Sequence, residues 1–240
     1  MSDPELTSPP PSLLSAGQRE PVDPTRKRLK PGERREQILQ ALAQMLEQPG
    51  AERITTAALA ARLAVSEAAL YRHFASKAQM FEGLIEFIEH SVFSLVNQIA
   101  ERQRLPGAAA LAPAGAASVL DVMTSAQAGV RQAAQVVTML LQFAEKNPGM
   151  TRVMVGDALV FENERLQQRM NQFFDKIEAT LRQGLRGGAD LSGSATPTVD
   201  TQVLASALTA FVVGRLHRFA RSGFKRAPTE QLDASLALML

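Results

Sequence analysis

An all-α protein is predicted, with a small N-terminal head of three helices joined to a larger helical body, and three observations predict it. Apolar residues recur at three- and four-residue steps along most of the 240 residues, the period of a helix that buries one face. No segment alternates apolar and polar residues as a half-buried strand does. Proline and glycine interrupt the helical runs at 49–50, 105–117, 147–149 and 187–198, where a lost amide donor or a freed backbone turns the chain.

Residues 1–32 scatter seven prolines among serines and charges with no hydrophobic period, the composition of a disordered tail. The head spans 33–76. Its first helix runs from about Glu33 to Gln48 with Ile38, Leu42, Met45 and Leu46 inward, and Pro49-Gly50 ends it. The second helix sets Leu59, Ala60 and Leu63 on one face, and Ala64 and Val65 form the turn. Ser66 stands where an N-cap hydroxyl accepts a bond from an orphan amide, and Glu67 suits the positive end of the helix dipole.

The third helix, Ser66 to Phe74, keeps Leu70 and Phe74 for the core and leaves Ala68, Ala69, Tyr71, Arg72 and His73 outward. Such a surface suits a DNA major groove. The alanines let the helix sit deep, Tyr71 can donate to a phosphate, and Arg72 or His73 can reach phosphates or base edges. Lys77, just past the helix, is a phosphate contact in this reading, and Thr55 and Ser66 lie on the same head. An alanine-rich helical hairpin with no nucleic-acid role has similar composition.

The body spans 77–240. Ser76 with Gln79 forms a capping box for a long fourth helix that carries Met80, Leu84, Ile85, Phe87, Ile88, Phe93, Val96 and Ile99. A Pro/Gly/Ala connection at 105–117 precedes a fifth helix that reaches about Lys146. Asn147-Pro-Gly interrupts it, because Pro148 disfavours helical geometry before it and Gly149 permits a turn. A short helix follows, then a long one from about Asp157 to Arg186 with Leu166, Met170, Phe173, Ile177, Leu181 and Leu185 in step. Gly187 and Gly188 end it, a loop covers 187–198, and two last helices cover about 199–222 and 229–240. Leu204, Leu208, Phe211, Val212 and Leu216 give one of these more apolar surface than a single bundle needs, which fits homodimerisation or, alternatively, plain core packing.

Composition excludes several classes. A chain with 45% hydrophobic residues buries a proper core. Without cysteine it makes neither a disulfide nor a thiolate metal site, and His73, His90 and His217 lack ligand spacing. No apolar run approaches the roughly 18 residues a membrane span needs, and the N-terminus lacks a signal pattern. Cytoplasmic residence is expected, with no membrane partner. The net charge is only +2, yet Arg26, Lys27, Arg28, Lys30, Arg34 and Arg35 cluster before the first helix. That cluster either touches phosphates of a flanking minor groove or is a solvated charge run. An enzyme is not expected: Ser66 and Ser91 have no His and acid at recognisable spacing, and no Gly-rich phosphate loop follows a strand. Glu86, Glu89 and His90 form at most a weak metal face, so neither metal nor cofactor is expected.

The recognition run closes with Tyr71-Arg-His-Phe and a downstream Ser76-Lys77, and in this it resembles the TetR family. Arg34-Arg-Glu-Gln-Ile-Leu-Gln, Arg53-Ile-Thr-Thr-Ala, Leu84-Ile-Glu-Phe-Ile-Glu, Asn147-Pro-Gly-Met-Thr-Arg-Val and Ala158-Leu-Val-Phe-Glu-Asn-Glu-Arg-Leu-Gln resemble its nucleoid occlusion members, from about Arg34 to the C-terminus. The resemblance implies a TetR-like fold and a homodimer paired through the helices at 157–186 and 199–222. It implies binding to a pseudo-palindromic site on double-stranded DNA, leaving open a larger assembly there, and association with the nucleoid. It further implies that the DNA-bound form antagonises the division protein FtsZ, so that no septum forms over the nucleoid. Phe87, Met139, Lys146 and Asn147 occupy the positions that contact the acidic, apolar FtsZ tail between the fourth and fifth helices. Two positions depart from that pattern: Leu95 stands where an arginine is expected and Gln142 where a glycine is. The alternative is a ligand-responsive TetR-type transcriptional repressor, weakened because a chain with no Trp and one Tyr has few groups for a drug-type pocket.

Overall fold

The computed structural model describes residues 32–48, 54–104, 119–189 and 197–240. The predicted tail, most of its basic cluster, Pro49-Gly50, the 105–117 connection and residues 190–196 lie outside the described residues. Those described form helices and turns without strands. The helices are α1 (Glu33–Leu46), α2 (Thr56–Arg62), α3 (Glu67–Tyr71), α4 (Lys77–Arg104), α5 (Val119–Lys146), α6 (Pro148–Met154), α7 (Glu164–Ala189), α8 (Pro197–Arg221) and α9 (Leu232–Met239).

The head folds on Ile38, Leu42, Leu46, Leu59, Leu70 and Phe74, each buried. Thr55 Oγ1 caps α2 by accepting from the Ala58 amide at 3.1 Å, and Ser66 Oγ caps α3 by accepting from Ala69 at 3.3 Å. Between them Ala64 takes a left-handed φ of 51°, which turns the chain sharply enough to set α3 across α2. The capping box before α4 closes one residue early. Ser76 Oγ accepts from the Gln79 amide, but Gln79 Oε1 accepts from Ala75 rather than Ser76.

Four boundaries differ from the sequence reading. The recognition helix stops at Tyr71 instead of reaching Phe74: the His73 amide turns back to Leu70 O, and Arg35 donates to the His73 carbonyl at 3.4 Å while its guanidinium sits 4.3 Å over the Phe74 ring. The long body helix starts at Glu164, not Asp157, because Gly156 adopts φ 84° and leads a 3-10 turn at Asp157–Leu159. Asn163 Oδ1 then accepts from the Arg165 amide to begin α7, and α7 continues through Gly187 and Gly188 to Ala189. The last helix begins at Leu232 rather than 229. The preceding turn is held by Ser222 Oγ, which accepts from the Lys225 and Arg226 amides, and by Arg215, which donates to Glu230 O at 2.6 Å.

In the body α7 packs between α5 and α8, burying Leu166, Met170, Phe173, Ile177, Leu181 and Leu185. Phe173 meets Phe93 and Phe174 edge to face at 5.6 and 5.1 Å. Arg169 on α7 donates to Glu89 on α4 at 2.7 Å. That bond holds the guanidinium above its ordinary range despite partial burial, so the cation's share of the pair is lost only when strong alkali deprotonates it.

Gly149 carries the joint between head and body. It lies inside α6 rather than in a turn, and a Cβ there would overlap the Ala43 carbonyl oxygen of α1. Pro148 opens this helix at its first position, where its missing amide costs nothing. Thr151 Oγ1, fully buried, then donates to Ala144 O at 2.9 Å and fastens α6 to the end of α5.

Candidate nucleic-acid interface and partner groove

The head presents one polar, basic face. Ala68, Tyr71, Arg72 and His73 are exposed while Leu70 and Phe74 beneath them are buried. Tyr71 is 45% exposed, and its hydroxyl points toward Thr56 Oγ1 at 3.5 Å. Thr56 itself donates to Glu67 at 2.6 Å, which ties the start of α2 to the start of α3. Thr55 and Ser66 are exposed caps, and Ala69 is half-buried. Lys77 is the exception among the proposed phosphate contacts, since its ammonium lies 2.5 Å from Glu162. Arg35, one of the clustered basic residues, is exposed and spans to His73 and Phe74, giving the recognition turn a second cation.

The proposed partner residues lie along the α4/α5 side of the body. Phe87 is 49% exposed, not part of the inward stripe of the fourth helix in which the sequence reading also placed it. An open groove of about 730 Å³ runs between Leu95, Gln98, Ile99 and Arg102 of α4 and Gln135, Thr138, Met139 and Gln142 of α5, with Asp233 and Leu236 of α9 at its edge. Met139 thus lines the groove together with the two departing residues, Leu95 and Gln142. Phe87, Lys146 and Asn147 are not among its lining. They sit farther along the same side: on α4 Phe87 is eight residues before Leu95, and on α5 Lys146 is four residues beyond Gln142 and seven beyond Met139, with Asn147 next to it. Lys146 is exposed, and Asn147 is half-buried with its amide donating to Phe143 O at 2.7 Å. The contribution of α9 escaped the sequence reading, because no local pattern announces which helix a C-terminal segment returns to.

A further face is uncovered. Along α8, Val199 and Val203 are 56% and 62% exposed, and Ala207, Ala210 and Gly214 continue their line in exposed positions. A Cβ on Gly214 would meet nothing within 4 Å. The opposite face of α8 buries Ala205, Leu208, Val212 and Leu216. With two apolar faces the segment 198–221 is long and apolar enough, by length and composition, to cross a membrane. The sequence reading found no such run; it weighed apolar stripes one at a time, whereas here the charges stand at the ends, at Asp200, Arg215, Arg218 and Arg221. Among the described residues no three His, Asp or Glu converge as metal ligands, and Glu89 is committed to Arg169.

Comparison with known proteins bears on what these faces serve. Residues 38–84 match the family described as bacterial regulatory proteins, tetR family, and residues 127–240 match the SlmA-like type of tetracyclin repressor-like C-terminal domain. A relative from Photobacterium profundum, named nucleoid occlusion factor SlmA, is 50% identical over 83% of this chain and 90% of its own length. One of the same name from Vibrio cholerae is 49% identical over 86% of this chain and 93% of its own. Among solved structures, the transcriptional regulator FadR from Bacillus subtilis in complex with stearoyl-CoA superposes with a TM-score of 0.61, covering 85% of this chain and 96% of that one. At 14% identity it shares the fold alone. The relatives' names favour the nucleoid occlusion reading over that of a ligand-responsive repressor. Half-identity to these relatives along nearly their whole length, on a helix-turn-helix head and an all-helical body, means that the chain belongs to the TetR family, among the SlmA nucleoid occlusion factors.

Proposed function

We propose that this protein acts as a homodimer on double-stranded DNA, associated with the nucleoid in the cytoplasm, and that in its DNA-bound state it restrains FtsZ assembly. The observation that carries this reading is the outward set of Tyr71, Arg72 and His73 over buried Leu70 and Phe74, a surface chemically suited to contact with a polyanion. Ala68 and Ala69 keep that surface low enough to enter a major groove. One such head reads one half-site. A two-fold pair, joined through the open α8 face and the neighbouring α7, places a second head on the next turn of the duplex, about 34 Å away.

The FtsZ tail is acidic and apolar, and the α4/α5 side offers it Phe87 and Met139 as apolar contacts with Lys146 as the cation and Asn147 as a polar anchor. FtsZ sedimentation tests the whole reading: polymer in the pellet falls when the protein is added with its DNA site and stays high without it. A repressor unrelated to division leaves the pellet unchanged in both arms.

A further inference from the structure

Glu162 lies in the loop between the 3-10 turn and α7, on the body, and its carboxylate reaches across to the first residue of α4 beneath the head. Its Oε1 is 2.5 Å from Lys77 Nζ. The glutamate side chain retains 9% of its exposure and the lysine 32%, so the anion is enclosed and the cation faces partly outward. The ammonium also hangs 5.6 Å from the Phe81 ring. Lys77 follows Phe74 by three residues, at the edge of the recognition face.

We propose that Glu162 competes with the DNA backbone for Lys77: it holds the ammonium in the free protein, gives it up to a phosphate on binding, and thereby tunes affinity while reporting DNA occupancy to the body. The proposal rests on the DNA-binding reading and adds its regulation. A carboxylate and a phosphate oxygen are alternative acceptors for the same ammonium, and a four-carbon stem lets a lysine swing between them. The exchange has a structural consequence. A nearly enclosed carboxylate without its cation is costly, so Glu162 must turn toward water, carrying a loop whose neighbour Val160 is already 67% exposed and which leads directly into α7.

The test uses the full chain and a duplex bearing one site selected by the wild-type protein, titrated by fluorescence anisotropy across a salt series. Glu162→Gln is expected to tighten binding roughly three-fold or more, the scale of a partly exposed pair. Lys77→Gln is expected to weaken it and make the slope of log affinity against log salt shallower by about 0.9, one phosphate. On the Lys77→Gln background, Glu162→Gln should change nothing. Glu162→Asp, which retracts the carboxylate, should fall between wild type and Glu162→Gln and serves if the amide variant folds poorly by circular dichroism. Hydrogen exchange at 160–163 should rise when DNA binds. Folded Glu162→Gln that binds no better than wild type, or an unchanged salt slope in Lys77→Gln, overturns the exchange while leaving DNA binding intact. A wild-type chain indifferent to duplex DNA at low salt overturns both.

Discussion

At Gly149 a single hydrogen in place of a methyl decides how the head meets the body. Because a Cβ there would overlap a backbone carbonyl of α1 and neither helix can yield as a flexible side chain does, Gly149→Ala should cost about 3 kcal/mol. Urea unfolding with two probes, one in each half, would measure it, and loss of coincidence between them would show the head coming loose. Tyr71 is the other kind of residue in the proposed reading, one that stabilises little and would recognise much. Its hydroxyl has only a long contact to Thr56, so Tyr71→Ala should leave the melting temperature nearly unchanged and weaken duplex binding about ten-fold, the worth of one hydrogen bond to a charged acceptor. Thr55 and Ser66 would combine both roles in the same proposal: as caps each contributes about 1 kcal/mol to its helix, so a loss of DNA binding on their removal would mix recognition with stability.

Among the elements, α4 divides its labour between faces. Met80, Leu84, Ile85, Ile88 and Val92 are buried, while Phe87 stands exposed on the other side. Phe87→Ala should therefore change stability by less than about 0.5 kcal/mol and spare DNA binding, yet relieve FtsZ inhibition; the same holds for Lys146→Glu. Unchanged FtsZ sedimentation in both variants would move the partner surface elsewhere. The helix-turn-helix was legible in the residues because its signals are local: Thr55 and Ser66 cap, Leu59, Leu70 and Phe74 fill the core, and Lys77 opens the next helix. The exposure of Phe87 was not, since an aromatic flanked by Ile85 and Ile88 matches a buried stripe as well as an open one. Nor was the use of Gly149, which looks like a turn residue until α1 arrives from more than a hundred positions away. The same limit hid the Glu162 partner of Lys77, the edge that α9 lends to the groove, and the early stop of α3, where Arg35 from α1 takes the His73 carbonyl.

For the molecule as a whole, the open face of α8 is what the proposed dimer depends on. Its line of Val203, Ala207, Ala210 and Gly214 is small and uncharged, so a facing copy can approach closely, and a single glutamate in the middle would place a charge in that contact. Ala210→Glu is expected to yield monomers by light scattering, with intact helix content and DNA affinity reduced to that of one head. A monomer that still binds a palindromic duplex at wild-type strength would remove the need for pairing. An apolar contact of this sort draws its strength from releasing water, a gain that is largely entropic near room temperature and shrinks on cooling. In the proposed dimer, chilling should therefore loosen the pair and warming toward growth temperature tighten it, so the fraction of chains able to clamp both halves of a palindrome should rise with temperature until the heads themselves begin to melt.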